Sequence, residues 1–215
     1  MRKMTKKAMG VFMVMSLVFG GHSLVSAAEK NIAMEEVFPN EQVEQIIQQA
    51  RERPIYNDKD EYGHFSLDTT RSFGQYPSRK GVILVTEDKY KGLIPTGHAA
   101  IMWSSNTVVE SLSGGVTTGA NDWNTSKNTC YAVGVSGTTE AQDRNVADWC
   151  YKQIGKPYNL NYLNVSTRGK FYCSQLVWAG FKDNYNINLN TSEFGDAIHP
   201  IELVNNSITY TIYRK

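Results

Sequence analysis

The sequence predicts an α+β domain in which an antiparallel sheet packs against helices. Two observations predict it. Four short apolar, β-branched segments follow one another between residues 81 and 135, and helix-patterned stretches with cap residues precede and follow them. With 41% hydrophobic and 20% charged residues in 215, the chain has apolar content for one ordinary core, and no second domain is expected.

Residues 1–28 read as a secretory leader: Arg2, Lys3, Lys6 and Lys7, an apolar run from Ala8 to Phe19, then small residues with cleavage after Ala27 or Ala28. That run is shorter than the roughly 20 apolar residues a membrane helix needs, so no integral membrane segment is expected after cleavage. Residues 29–80 read as a flank. A helix starts with Asn40 as N-cap, places Val43, Ile46 and Ile47 on one face and stops before Pro54, and a polar loop over 57–80 is positioned to rim a cleft.

Residues 81–215 read as the catalytic domain. Strands are expected over 81–87, 97–103, 108–112, 129–135 and 208–213. Thr139 and Gln142 make a capping box for a helix through Val146, Trp149 and Cys150 that stops at Gly155. A second helix opens at Cys173, and a short helical piece is expected over 192–197 before a break at Pro200.

The formal net charge is +1, and the leader holds four basic residues and no acidic one, so the remainder is slightly acidic. Nucleic acid is not an expected partner, since no polybasic field exists to hold phosphates. There is no Cys-x-x-Cys, His-Glu-x-x-His or acidic calcium loop, so no metal or other cofactor is expected, and no Gly-x-Ser-x-Gly elbow supports a serine hydrolase. The cysteines are Cys130, Cys150 and Cys173. Either the first two form a bridge or both are small buried hydrophobes, and under both readings Cys173 stays free.

Cys173 lies where a loop breaks into an amphipathic helix, a setting whose free N–H groups favour a thiolate. His98, in Gly97-His-Ala-Ala-Ile-Met, offers a base for it, and Glu110 is the best third group to orient the imidazole. Strict pairing across a four-residue turn at 104–107 would put His98 and Glu110 on opposite faces, so this triad needs a bulge or an odd-length loop. His64 and His199 read as structural.

The blocks Gly97-His-Ala-Ala-Ile-Met, Val109-Glu-Ser, Gly155-Lys-Pro-Tyr-Asn and Phe171-Tyr-Cys-Ser-Gln-Leu-Val, in that order, resemble the YiiX-like branch of the NlpC-type cysteine peptidases and amidases. The resemblance covers roughly residues 81–203. It implies a circularly permuted papain-like fold with the histidine before the cysteine, Cys173 as nucleophile, His98 as general base and acid, and Glu110 as orienting residue. Val82 departs from the pattern, where relatives usually carry an aspartate. For the oxyanion, the Cys173 backbone N–H is the natural donor, with the hydroxyls of Tyr158 or Tyr172 beside it. Tyr158, Tyr162, Phe171, Tyr172 and Trp178 either line a groove or form core.

The leader and the resemblance together imply a secreted or wall-associated (periplasmic, given an outer membrane) amidase or endopeptidase on peptide or amide bonds of cell-wall peptidoglycan. Two alternatives stand beside it: a lipid-directed thiol hydrolase or acyltransferase, and a non-enzymatic peptide- or glycan-binding module on the same fold.

Overall fold

A computed structural model describes residues 34–89 and 97–215. The expected leader over 1–28 lies outside the described residues. The elements are α1 (Met34–Val37), α2 (Asn40–Glu52), β1 (Ile83–Thr86), β2 (His98–Ser104), β3 (Thr107–Leu112), β4 (Gly115–Ala120), α3 (Trp123–Ser126), β5 (Tyr131–Val135), α4 (Glu140–Tyr151), α5 (Cys173–Tyr185), α6 (Glu202–Asn205) and β6 (Thr209–Arg214). The strands form one sheet in the order β4-β3-β2-β1-β5-β6, every neighbouring pair antiparallel. No described helix is long and apolar enough to cross a membrane.

The sheet is buried on both faces, which is why β1 and β5 read as unbroken apolar runs rather than alternating ones. One core joins Ile83, Ala99, Ile101, Val109 and Val133 of the sheet to Ile46 and Ile47 of α2, Val146 of α4 and Leu176 and Val177 of α5. The other face carries Val82, Leu84, Ala100, Met102, Val108 and Ile212, covered by Trp123 of α3 and by Tyr56, Tyr76 and Tyr213. Val82 is therefore a core residue of the second layer.

Several expectations shift. α2 starts at Asn40 itself, because the Pro39 carbonyl accepts the first helical N–H, that of Val43. The capping box of Thr139 and Gln142 forms as expected, and α4 ends at Tyr151, the chain reaching Gly155 through a turn. The helical piece expected over 192–197 is a turn. The helix lies after Pro200 instead, where a residue with fixed φ and no N–H suits a helix start. The strand β4 and the short α3 have no counterpart in the sequence reading. In β4, Gly115-Val-Thr-Thr-Gly-Ala lacks an apolar run, and its pairing with β3 over the whole of its length makes it a strand.

All three cysteines are free and buried. A Cys130–Cys150 bridge is excluded by the architecture, since Cys130 belongs to one core and Cys150 to the other. Burial pushes the Cys130 thiol up to about 12 and the Cys150 thiol higher still, so both are inert hydrophobes.

The segment before the sheet is built into the same unit. Tyr56 and Gly74 pair with Leu67 and Tyr213 in isolated bridges, and Lys59 and Arg79 both reach Asp143 of α4. Lys59 Nζ, wholly buried, lies 2.9 Å from Asp143 Oδ2 and donates to the Val135 and Thr138 carbonyls. Arg79 grips Asp58 through two nitrogens and places a third contact on Asp143 at 2.8 Å.

Candidate active site

Cys173 is the first residue of α5. The chain turns there because Gln175, three residues past the Tyr172 N-cap, reaches back so that its Oε1 accepts the Tyr172 N–H at 3.1 Å. The carbonyl of Phe171 accepts from Ser111 Oγ of β3 at 2.7 Å and from the Asn159 N–H at 3.1 Å, so the approach to the cysteine is clamped from both sides. The Gly155-Lys-Pro-Tyr-Asn block is the second clamp. Gly155 N–H and Lys156 O pair with Val116 at the start of β4. A Cβ on Gly115 would sit 2.3 Å from the Lys156 oxygen, so the docking requires glycine there.

His98 is the first residue of β2, and the 198–200 loop ties that end of the strand to the first turn of α5. Ser174 Oγ donates to the Ile198 carbonyl at 2.6 Å, and a Cβ on Gly97 would lie 3.5 Å from Pro200 and 3.6 Å from His199. The imidazole of His98 is wholly buried and Trp123 stacks on it, ring centroids 5.5 Å apart. Its Nε2 bonds Glu110 Oε2 at 2.6 Å. A carboxylate on Nε2 fixes that nitrogen as the donor and leaves Nδ1 to exchange a proton with the thiol.

The bulge that this pairing needs is present. Ser104 pairs with Thr107 around a two-residue turn, but Met102 pairs with Val108, so Trp103 is the extra residue and Ala100 comes to face Glu110. His98, two residues before Ala100, shares that face. The carboxylate also needs room on the edge strand. A Cβ on Gly119 would lie 2.1 Å from Glu110 Oε1, so glycine at that position lets Glu110 lie flat over β4.

Burial works against a charged imidazole, but the interaction with the Cys173 sulfur, the hydrogen bond with Glu110 and the negative charge of both partners raise His98 to about 9. The arrangement is a thiol–imidazole–carboxylate line in which the imidazole keeps its proton through neutral pH. Cys173 and His98 have no exposed surface in this conformation.

The two tyrosines read as oxyanion donors are placed differently. The Tyr172 hydroxyl points away from that role: it donates to the Tyr162 carbonyl at 3.2 Å and accepts the Ile198 N–H at 3.0 Å. The Tyr158 hydroxyl is buried and makes no hydrogen bond among the described residues. Burial first, and then the charge of Cys173, push its ionisation far up, so it stays a protonated hydroxyl. Of the aromatic group, Tyr162, Phe171, Tyr172 and Trp178 belong to the core and Tyr158 packs against it, and the charge at Cys173 acts on the Tyr158 and Tyr162 hydroxyls. His64 is exposed and contacts Asp60, and His199 is buried with Nδ1 accepting the Ile201 N–H, so neither joins the line.

Sequence reasoning did not single out Trp123, Gly119, Ser111 or Gln175. Only Gln175 left a signal, as a glutamine three residues after the residue that starts a helix. Among the described residues, no group of three or more His, Cys, Asp or Glu side chains is placed to hold a metal ion.

A thiol at a helix start, an imidazole on a strand that precedes it in the chain, and a carboxylate behind that imidazole are the arrangement expected of a cysteine hydrolase of permuted papain-like architecture. The chain belongs to the family of permuted papain-like amidases known as YaeF/YiiX, C92, whose model matches residues 85–201. Its members are cysteine peptidases and amidases. The crystal structure of the metalloprotein YiiX from Escherichia coli O157:H7 is similar in fold, with 12% identity and a TM-score of 0.50 over 66% of this chain and 99% of that one. No curated protein matches the chain.

Proposed function

We propose that Cys173, His98 and Glu110 are the catalytic residues of an exported amidase or endopeptidase that cuts peptide bonds of cell-wall peptidoglycan. The observation that carries this reading is the buried His98 imidazole held by Glu110 on Nε2, its raised proton affinity owed in part to the Cys173 sulfur that opens α5. In the reaction, His98 holds on Nδ1 the proton given up by Cys173, the sulfur attacks the carbonyl carbon, and the carbonyl electrons move to oxygen. The free N–H of Cys173 in the first turn of α5 and the Tyr158 hydroxyl receive that oxygen. Collapse breaks the C–N bond, and His98 returns the proton to the leaving amine. Water then adds to the thioester, losing a proton to His98, and the acid and the thiol are released.

Export and the wall substrate rest on the basic, then apolar, then small-residue pattern of residues 1–28. One observation favours lipid chemistry as a second reading. The loop that carries Tyr158 and Tyr162 also presents Leu160, 60% exposed, and Leu163, 43% exposed, to solvent. Purified muropeptides and, separately, N-acylated lipids in vesicles are incubated with the protein and with Cys173→Ala, and products are read by mass spectrometry. Peptide cleavage by the first alone supports the proposal, and cleavage of the lipid amides alone moves it to the second reading. Unchanged behaviour of the variant in a binding assay, with no product in either mixture, leaves a binding module.

The raised imidazole sets the alkaline limit of activity. The proton that His98 must give the leaving group is held below about 9 and lost above it, so the rate should fall as pH rises through about 9, with an apparent value that belongs to the Cys–His pair. In Glu110→Gln one of the raising interactions is weakened, and the alkaline limb should move to lower pH. A pH–rate profile on an acyl p-nitroanilide, whose amine leaving group needs that proton, checks it. An unmoved limb would argue that Glu110 does not act on the imidazole.

A further inference from the structure

We infer that Tyr162 is a second side-chain donor to the oxyanion, its hydroxyl acting with that of Tyr158 on the oxygen of the substrate carbonyl. The inference rests on the hydrolase reading above and extends its site by one residue.

Tyr162 is 4% exposed, and its hydroxyl is buried with no hydrogen bond among the described residues. A buried hydroxyl left without a partner costs about 1–3 kcal/mol, so it calls for a reason, and a ligand that completes it on binding is one. The hydroxyls of Tyr158 and Tyr162 act on each other's ionisation, yet they are not aligned as donor and acceptor, so each retains its O–H for a third group. Tyr162 packs on Tyr172, the residue next to Cys173 in the chain, and the charge at Cys173 acts on the ionisation of both hydroxyls. Burial keeps the Tyr162 hydroxyl protonated, as a donor must be.

The ring is fixed. It meets Tyr172, the residue before the nucleophile, at 5.2 Å between centroids and Phe38 at 5.5 Å, both in T-shaped arrangement. Its backbone carbonyl accepts the Tyr172 hydroxyl. The loop around it is fixed as well, because Gln175 of α5 donates to the Val165 carbonyl at 3.2 Å and accepts from Asn159 Nδ2 at 3.0 Å, and the same Asn159 nitrogen donates to the Asn164 carbonyl. One side chain in the first turn of the nucleophile's own helix thus sets the position of both tyrosines. Donors held in advance near a developing charge need no reorganisation when that charge forms.

The step is a change of hydrogen bonding only. As the Cys173 sulfur bonds to the carbonyl carbon, the C=O electron pair moves to oxygen and the Tyr162 O–H donates to it without transferring its proton. When the tetrahedral species collapses, the oxygen regains its double bond and the hydrogen bond weakens.

The test uses two reagents on one thiol. Acylation of Cys173 by p-nitrophenyl acetate passes through a tetrahedral oxyanion, whereas alkylation by iodoacetamide does not. In Tyr162→Phe, which keeps the ring, the acylation burst should slow by about 10- to 100-fold, less than the largest single-donor losses because other donors remain. Alkylation of Cys173, followed by peptide mass spectrometry, should stay within about twofold of wild type. Equal slowing of both reactions would show that Tyr162 holds the thiol in place rather than the oxyanion, and would overturn the inference. Acylation within about twofold of wild type would overturn it too, leaving the hydrolase reading standing. A wild-type protein that is alkylated but never acylated would overturn both.

Discussion

His98→Ala should lose about 10²- to 10⁴-fold in ester hydrolysis, the range that general acid–base catalysis supplies. The imidazole has two proton-transfer tasks, and no neighbour replaces it: Trp123 stacks on it without a titratable group, His199 is lowered to about 3 by burial and bonds the Ile201 backbone, and Glu110 is held on the far nitrogen. The loss should fall on kcat with the fold intact, and single-turnover kinetics on p-nitrophenyl acetate separate acylation from deacylation. Both steps should slow, since His98 serves in each. A variant that retains wild-type turnover would remove the thiol–imidazole line from the mechanism.

Asp143→Ala should destabilise the protein by about 3–5 kcal/mol, the cost typical of breaking a buried ion pair by taking away one partner. Asp143 Oδ2 serves both Lys59 at 2.9 Å and Arg79 at 2.8 Å, and its Oδ1 accepts from Thr138 Oγ1 at 2.6 Å. Without it the Lys59 ammonium keeps two carbonyls and a hydroxyl but no counter-charge nearby except Asp58, in a site where burial already lowers its pKa. For a domain of this size the change corresponds to a fall in melting temperature on the order of 10 °C. Lys59→Met should cost less, because Asp143 keeps Arg79. Urea unfolding measures both, and a loss under about 1 kcal/mol for Asp143→Ala would show that the cluster is solvated in solution.

Much of this molecule is legible in the sequence, and what is not has a physical cause. His98 and Cys173 are legible because each sits at an element boundary with its own local pattern, a glycine-led apolar strand and a helix start. The family resemblance reinforces both, and the match over residues 85–201 agrees with it. Glu110 was legible only conditionally. Its face depends on one bulged residue, Trp103, and a bulge depends on how two strands meet rather than on either strand alone. Gly119 and Trp123 carried no signal at all. A glycine in a threonine-rich segment says nothing of the carboxylate lying over it from the neighbouring strand, and a tryptophan beside a short helical turn says nothing of the imidazole it covers. Tyr172 was read as a free hydroxyl because the sequence does not reveal that the chain returns at Ile198 to engage it.

The cation cluster on Asp143 also decides where this module can be divided. The family match begins at residue 85, which invites a cut just before the sheet. Such a cut would remove Lys59 and Arg79 together and leave Asp143 as a buried, uncompensated anion at the start of α4. It would also strip Tyr56 and Tyr76 from the outer face of the sheet, baring Val82, Leu84 and Ile212. The smallest portion able to fold by itself therefore reaches back past Lys59. A protease that matures this protein has its permissible sites upstream of that lysine, and any exchange of this domain between longer chains carries the polar 57–80 stretch as an inseparable part of it.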